Sequence, residues 1–167
     1  MLGYPGSGKT TVAKMIHELT GATHLWADYA RKQLFSNPTH PRDETRKLYA
    51  HLQQQVAELL AANKSVVFDA NFNFYRDRMR YRRLAHRYGA AYRLIWVKTP
   101  KQTAKERATS LLASSPPGSN HDTRVFGDMP VSEFEKKYRN LQPPRENEPY
   151  IEIDGTNVSP TLLKKAI

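Results

Sequence analysis

The sequence predicts an α/β fold in which a parallel sheet is flanked by helices. Apolar segments of strand length alternate with amphipathic segments of helical length along the chain, which is the pattern of repeated strand–helix units. Two of the apolar segments end in a carboxylate, at Asp28 and Asp69, and a glycine-rich segment precedes the first helix. Parallel sheets bind ligands beyond the carboxyl ends of their strands, so these positions are the first candidates for a functional site.

Each predicted strand is a short apolar run bounded by turn residues. The run Val66, Val67 and Phe68 is apolar on both faces, as in the interior of a parallel sheet. Helical segments separate the strands, which favours parallel connections. The predicted strands are residues 24–28, 65–69, 92–98 and 150–154.

The predicted helices show apolar residues at helical spacing and have recognisable end signals. In the longest, Leu48, Leu52 and Val56 share one face, which is expected to cover the sheet. Gly21 ends the first helix, and Thr99 is expected to cap a helix that begins at Pro100. The predicted helices are residues 11–19, 28–35, 43–62, 74–88, 99–112 and 131–140, with a last one opened by Ser159 and Pro160.

Residues 3–10 read Gly-Tyr-Pro-Gly-Ser-Gly-Lys-Thr, a spacing that wraps the backbone around a triphosphate. The glycines let amide N–H groups point at phosphate oxygens, and the next helix turns its positive end toward them. Lys9 is expected to reach the β- and γ-phosphates, and Thr10 to bind Mg²⁺ through its hydroxyl. ATP and Mg²⁺ are therefore the expected cofactors. The predicted nucleotide-binding residues are Gly3, Pro5, Gly6, Ser7, Gly8, Lys9, Thr10 and Thr11.

Two carboxylates stand where the remaining chemistry is expected. Asp69 directly follows a buried-type strand, where a phosphate-binding protein needs a ligand for Mg²⁺; the alternative is a helix cap or a structural hydrogen bond. Asp28 precedes Arg31 by one helical turn, so both can face one cleft. A hydroxyl acceptor needs such a base and an anionic acceptor needs such an arginine, although a local ion pair without a catalytic role also fits.

Only Met1 and Leu2 precede the glycine-rich motif, although such a motif is expected to follow a buried strand. Two residues are too few to fill the central position of a sheet whose strands run to about five residues. The first strand is therefore expected to be truncated in this chain.

The charge balance favours polyanionic ligands. The 26 lysines and arginines outnumber the 16 aspartates and glutamates, which gives a formal net charge of +10. Much of this charge lies in residues 76–93, where arginines alternate with tyrosines. One interpretation is a nucleic-acid surface with tyrosines available for stacking. The other is a solvated helix face whose tyrosines pack inward.

The 167 residues suit a single domain, and neither a membrane span nor a secretory leader is expected. A cytoplasmic location is the default expectation, since ATP is available there. The absence of cysteine excludes disulfides and thiolate metal sites, and the histidines show no paired ligand spacing. Mg²⁺ carried on phosphates is the metal expected, and the oligomeric state is left open.

The motifs together resemble the P-loop kinases of the polynucleotide 5'-hydroxyl kinase and zeta-toxin type, some of which are labelled AAA-family ATPases. The resemblance rests on residues 3–10, Asp28-Tyr29-Ala30-Arg31, Asp69-Ala70-Asn71-Phe72-Asn73 with the arginine-rich helix after it, and Glu106-Arg107. It implies a three-layer P-loop NTPase fold with strand order 2-3-1-4-5 and a mobile lid over residues 113–129.

The resemblance also implies roles for individual residues. Asp28 would be the general base on the attacking hydroxyl, and Arg31 would hold a phosphate of the acceptor. A lid arginine would act on the transferring phosphate, with Arg107 the first choice and Arg124 the second. The loop after Leu112 is longer and richer in Pro and Ser than in the closest polynucleotide kinases, which leaves the acceptor open.

The expected function is ATP-dependent transfer of the γ-phosphoryl group to a hydroxyl acceptor. A nucleic-acid 5'-hydroxyl is placed slightly ahead because of the basic helix 76–93. A small-molecule kinase acting on a sugar, nucleotide sugar or antibiotic is the alternative, since a fold and its P-loop do not fix the acceptor. The other hypotheses are a partner-stimulated ATPase without an acceptor and a nucleic-acid-binding module with a vestigial nucleotide site.

Overall fold

The computed structural model describes residues 1–39, 41–110 and 129–167. Helices and short strands alternate along these ranges, as the apolar pattern predicts. In chain order they are α1 (Lys9–Thr20), β1 (Thr23–Trp26), α2 (Ala27–Leu34), α3 (Arg42–Ala61), β2 (Val66–Asp69), α4 (Tyr75–Arg87), β3 (Leu94–Lys98), α5 (Lys101–Thr109), α6 (Val131–Arg139), β4 (Tyr150–Asp154) and α7 (Pro160–Ala166).

The ends of several elements differ from the prediction. β1 ends at Trp26, so Asp28 lies in the first turn of α2 and not at the end of a strand. β3 begins at Leu94 and α5 ends at Thr109, which makes both shorter than predicted. Periodicity locates an element by its apolar face, whereas its ends depend on hydrogen bonds to residues that are distant in sequence.

The strands form two parallel pairs. β1 pairs with β2, so that Thr23 lies opposite Val66 and Trp26 opposite Asp69. β3 pairs with β4, which sets Lys98 opposite Asp154. In each pair the carboxyl ends of the two strands lie at the same edge. Residues predicted for the site end or follow the strands of the first pair in the sequence.

Met1 and Leu2 lie between the two strand pairs. Leu2 N donates to Ile95 O and Val97 N donates to Leu2 O, both at 2.8 Å. On the other side, Phe72 N donates to Met1 O at 3.2 Å. The described residues thus form two two-stranded sheets linked through these contacts, and the five-stranded order 2-3-1-4-5 stays a prediction.

Helices cover both faces of β2, which is why its side chains are apolar in succession. Val67 packs with Val12 of α1 and Leu163 of α7. Phe68 packs into a second cluster with Leu52 of α3 and with residues of α4. Full burial of one such side chain stabilises the fold by about 1.5–3 kcal/mol, so the two clusters fix the helices against the strands.

Arg78 of α4 is fully buried, although it belongs to the arginine-rich segment. Its Nε and Nη2 donate to the two carboxylate oxygens of Glu148 at 2.6 and 2.8 Å. Its Nη1 donates to the carbonyl oxygens of Phe72 and Gln142, both at 3.0 Å. The guanidinium therefore ties the start of α4 to the segment that leads into β4.

Replacing Arg78 with alanine is expected to lower the free energy of unfolding by about 3–5 kcal/mol, because Glu148 would keep a buried charge without its partner. Arg76→Ala is the matched control: that side chain is 93% exposed on the same helix, and a change of less than about 0.5 kcal/mol is expected. Urea denaturation followed by circular dichroism measures both. Equal effects of the two changes would contradict the structural role given to Arg78.

Candidate functional site

The glycine-rich motif, residues 3–10, forms a tight turn that leads into α1 and is called the phosphate-binding loop below. Gly6 and Gly8 have φ angles of 73° and 96°, in the left-handed region that favours glycine. A Cβ atom at residue 6 would lie 2.1 Å from the carbonyl oxygen of Ala104 in α5. The loop backbone therefore approaches α5 more closely than any side chain at this position would allow.

Residues outside the motif anchor the phosphate-binding loop. Thr99 Oγ1 donates to Ser7 O at 2.9 Å, so the prediction that Thr99 caps α5 is wrong. Gly155 N donates to Lys98 O at 2.7 Å, and Arg107 Nη1 donates to Gly155 O at 2.9 Å. Nothing in the motif points to Thr99 or Gly155, because both are remote from it in sequence.

Lys9 is the first residue of α1, and its ammonium group folds back over the phosphate-binding loop. Nζ donates to Gly3 O at 3.0 Å and to Tyr4 O at 2.7 Å. Burial lowers the pKa of Lys9 to about 8, against the opposing effect of the carboxylates of Asp69 and Asp28. The charged form of Lys9 would therefore be stabilised by any further anion close to the loop.

Asp28 and Asp69 lie close to each other and to Lys9. Asp69 is the last residue of β2 and is 3% exposed. Burial raises the pKa of Asp28, and the charge of Asp69 raises it further, whereas Lys9 lowers it. The structure thus brings these three predicted site residues together, while the roles predicted for them stay predictions.

Thr10 and Asp69 are the predicted ligands of Mg²⁺. Hydroxyl and carboxylate oxygens are the hard donors that this ion prefers. No group of three or more His, Cys, Asp or Glu side chains in the described ranges could hold a metal ion. The donor atoms of Thr10 and Asp69 suit Mg²⁺, and their binding of this ion stays a prediction.

Arg31 does not face an open cleft. Its guanidinium is buried and pairs with the carboxylate of Glu44 in α3 through Nη1. Nη2 donates to Thr45 Oγ1 at 3.3 Å. The contact of Arg31 with an acceptor phosphate stays a prediction. In this structure the guanidinium of Arg31 forms an ion pair with a carboxylate of the protein itself.

Arg107 and Arg124 are the two predicted arginines for the transferring phosphate. Arg107 lies in the last turn of α5, and its bond to Gly155 places it beside the phosphate-binding loop. Arg124 and the predicted lid, residues 113–129, lie outside the described residues except for Met129. Met129 is buried against α5 and against Phe134 of α6.

Lys137 of α6 is a cation near Lys9 and Asp28 that the sequence did not reveal. Its charge lowers the pKa of both Lys9 and Asp28, which places it close to both groups. Its Nζ also pairs with Glu133 at 3.1 Å, one turn away. In sequence it is one lysine of an ordinary amphipathic helix, and no local pattern distinguishes it from Lys136.

The aromatic side chains of the basic segment 76–93 differ in exposure: Tyr88 is 38% exposed, whereas the other two tyrosines turn toward the protein. Tyr81 is buried in the cluster beneath α3 and α4, and Tyr92 packs against the same cluster. The guanidinium carbon of Arg145 lies over the ring of Tyr75, 3.8 Å from the ring centroid. Exposed arginines such as Arg76 are left on a solvated face, which is the second of the two interpretations of this segment.

Taken together, the turn, its lysine and the carboxylate at the end of β2 define a P-loop nucleotide-binding protein of the α/β class. Among the described residues, no helix is long and apolar enough to cross a membrane. Residues 1–130 match the family model described as the AAA domain. The chain therefore belongs to this AAA domain family.

Solved structures show the same fold. A sugar kinase from a Janibacter species is 19% identical at a TM-score of 0.64, over 98% of this chain and 87% of that one. A gluconokinase from Sinorhizobium meliloti is 21% identical at a TM-score of 0.63, over 99% of this chain and 83% of that one. An APS kinase from Mycobacterium tuberculosis, in complex with AMPPNP and APS, is 19% identical at a TM-score of 0.62. The match covers 98% of this chain and 91% of that one. No curated protein matches the chain. The α/β P-loop kinase-like fold is thereby confirmed.

Gly6→Ala is expected to destabilise the protein far more than Gly21→Ala, although both residues have a left-handed φ, of 73° and 70°. A Cβ atom at residue 6 meets Ala104 O, whereas one at residue 21 meets nothing within 4 Å. The backbone cost common to both is about 1 kcal/mol, so the excess at Gly6 measures the contact with α5. Thermal unfolding of the two variants provides the comparison, and similar losses would contradict the close approach.

Asp69→Asn is expected to lower the pKa of Lys9 further below its value of about 8, because Asp69 is the carboxylate that most strongly favours the charged ammonium. Side-chain NMR of isotope-labelled lysine across pH 6–11 would follow this group. Asp43→Asn is the control, since that side chain is 78% exposed on α3, and no change is expected. A rise in the pKa of Lys9 in Asp69→Asn would contradict the proximity of the two charges.

Proposed function

We propose that this protein is an ATP-dependent kinase that transfers the γ-phosphoryl group to a hydroxyl of a small molecule. The observation that carries the proposal is the meeting of Lys9, Asp28 and Asp69 beside the phosphate-binding loop. A cation for the phosphates and a carboxylate for the hydroxyl proton then lie in one place, which phosphoryl transfer requires.

Two observations favour a small-molecule acceptor over a nucleic-acid 5'-hydroxyl. The structures that share this fold include a sugar kinase, a gluconokinase and an APS kinase. Tyr81 and Tyr92, which one interpretation made available for stacking on nucleic acid, pack inward. The nucleic-acid kinase is therefore the weaker of the two hypotheses, and the likeness to the polynucleotide kinase and zeta-toxin type stays a prediction.

The phosphate-binding loop holds the nucleotide in this proposal. Its amide groups and the start of α1 bind the phosphates, and Lys9 moves from the carbonyl oxygens of Gly3 and Tyr4 to the β- and γ-phosphates. Thr10 and Asp69 would hold Mg²⁺, which would neutralise negative charge on the phosphates. Arg107 and Lys137 add positive charge from α5 and α6.

Asp28 acts on the acceptor. Its raised pKa makes it a stronger base than an exposed aspartate, because burial and Asp69 disfavour its charged form. As the acceptor oxygen forms its bond to the γ-phosphorus, the bond from that phosphorus to the bridging oxygen breaks and ADP leaves. The proton of the hydroxyl passes to Asp28, so atoms and charges balance.

Lys9→Ala is expected to abolish phosphoryl transfer to every acceptor, while Asp28→Asn keeps ATP affinity and loses about 10²–10⁴-fold in transfer rate. Calorimetry measures nucleotide binding. Label transfer from γ-labelled ATP with Mg²⁺ to a 5'-hydroxyl oligonucleotide and to a small-molecule pool measures activity. Asp43→Asn, exposed on α3, is the control and should retain both.

Each result bears on a different part of the proposal. An active Asp28→Asn enzyme would remove Asp28 as the base. Transfer to the oligonucleotide alone would restore the nucleic-acid acceptor. Steady hydrolysis of ATP in the presence of every acceptor pool, without transfer, would favour the partner-stimulated ATPase.

A further inference from the structure

The buried pair formed by Arg31 and Glu44 lies next to the proposed base. Arg31 follows Asp28 by one turn of α2, and its charge contributes to the electrostatics of Asp28. From this pair and the groups around it, we propose that the acceptor is a neutral, hydroxyl-rich molecule and that Glu44 determines this preference by neutralising Arg31. The inference rests on the proposed kinase function and concerns only its acceptor.

The ion pair holds Arg31 in place. Arg31 is 7% exposed and Glu44 6%, so both charges are away from water. Glu44 Oε1 accepts from Arg31, and Glu44 Oε2 accepts from the backbone N–H of Thr39 at 3.0 Å. An acceptor anion that drew Arg31 away would separate two buried charges of opposite sign, which is strongly unfavourable.

Two carboxylates lie at this side of the site. Burial raises the pKa of Asp28, and the nearby carboxylate of Asp69 raises it further. Lys9 sits on the phosphate-binding loop, where the nucleotide binds in the proposed function. With Arg31 paired, a second anion entering beside Asp28 would meet the carboxylates of Asp28 and Asp69, and Lys137 would be the cation that offsets them.

Unpaired polar atoms at the same edge suit hydroxyl ligands. Trp26 Nε1 and the side-chain oxygens of Asn71 and Asn73 are buried without a hydrogen-bond partner, as is Arg31 Nε. Trp26 ends β1, and the two asparagines follow its neighbour β2, so they belong to the edge where parallel strands bind ligands. Two donors and two acceptors left unpaired are the complement of sugar or polyol hydroxyls, which both donate and accept.

An aromatic surface adjoins these groups. The rings of Trp26 and Tyr29 stack with centroids 6.0 Å apart and planes 15° from parallel. Tyr29 is 55% exposed and follows the base Asp28 directly. A flat aromatic face with a few convergent polar groups is the usual lining of a small-molecule site.

Matched pairs of acceptors test the proposal: glucose with gluconate, ribose with ribose 5-phosphate, and adenosine with AMP. Wild-type protein with γ-labelled ATP and Mg²⁺ is expected to label the neutral member of at least one pair more than about tenfold faster than its anionic partner. Glu44→Gln is expected to shift that ratio toward the anion by about tenfold or more, because Arg31 then lacks its carboxylate. Glu58→Gln is the control on the same helix: Glu58 is hydrogen-bonded to Gln54, and an unchanged ratio is expected.

The outcomes separate this inference from the function on which it rests. Preferential labelling of the anionic members by wild-type protein would overturn the neutral acceptor and leave the kinase standing. An unchanged ratio in a folded Glu44→Gln protein would overturn the role of Glu44. ATP hydrolysis without any labelled acceptor would overturn the kinase and the inference with it. The wild-type ratio decides the acceptor class even if Glu44→Gln does not fold.

Discussion

The close packing of the phosphate-binding loop against α5 and the turn after β4 is the constraint on which the site depends. Gly6 can approach Ala104 only without a side chain, and a Cβ atom on Gly155 would lie 2.1 Å from Ser7 O. The parallel register that sets Lys98 opposite Asp154 brings Thr99 and Gly155 to the same place, one residue after each strand. The register of β3 and β4 therefore determines the position of the phosphate-binding loop, because a shift in register would move both Thr99 and Gly155.

The sequence predicted the features that depend on regular apolar spacing or on a short motif. Helices and strands follow from apolar spacing, and the grouping of Lys9 with Asp69 follows from a motif and a strand end. Pairs that join distant segments were not predictable: Arg78 with Glu148, and Arg31 with Glu44. In sequence, Arg78 is one arginine among many on a basic helix, and only the packing of a segment 70 residues away makes it a buried structural group.

The same limit explains one wrong prediction at the site and one contact that the sequence did not reveal. Thr99 before Pro100 has the form of a helix cap, yet its hydroxyl bonds to Ser7 because the phosphate-binding loop passes within reach. Asp28 and Arg31 at one-turn spacing suggest a shared cleft, yet Arg31 turns to Glu44 on the next helix. Local spacing shows which side chains share a face, whereas the choice between possible partners is made by tertiary packing.

The net charge of +10 and the neutral acceptor edge fit one arrangement. A positive field raises the local concentration of any polyanion, and ATP with its phosphates is one, so the charge does not require nucleic acid. The field acts over a distance of about 10 Å at moderate salt and cannot distinguish two ligands a few ångströms apart. That distinction needs contact groups, which are Lys9 at the phosphate-binding loop and the neutralised Arg31 beside Asp28. Overall charge thus favours the nucleotide, while in our proposal the buried ion pair determines what kind of acceptor can lie next to it.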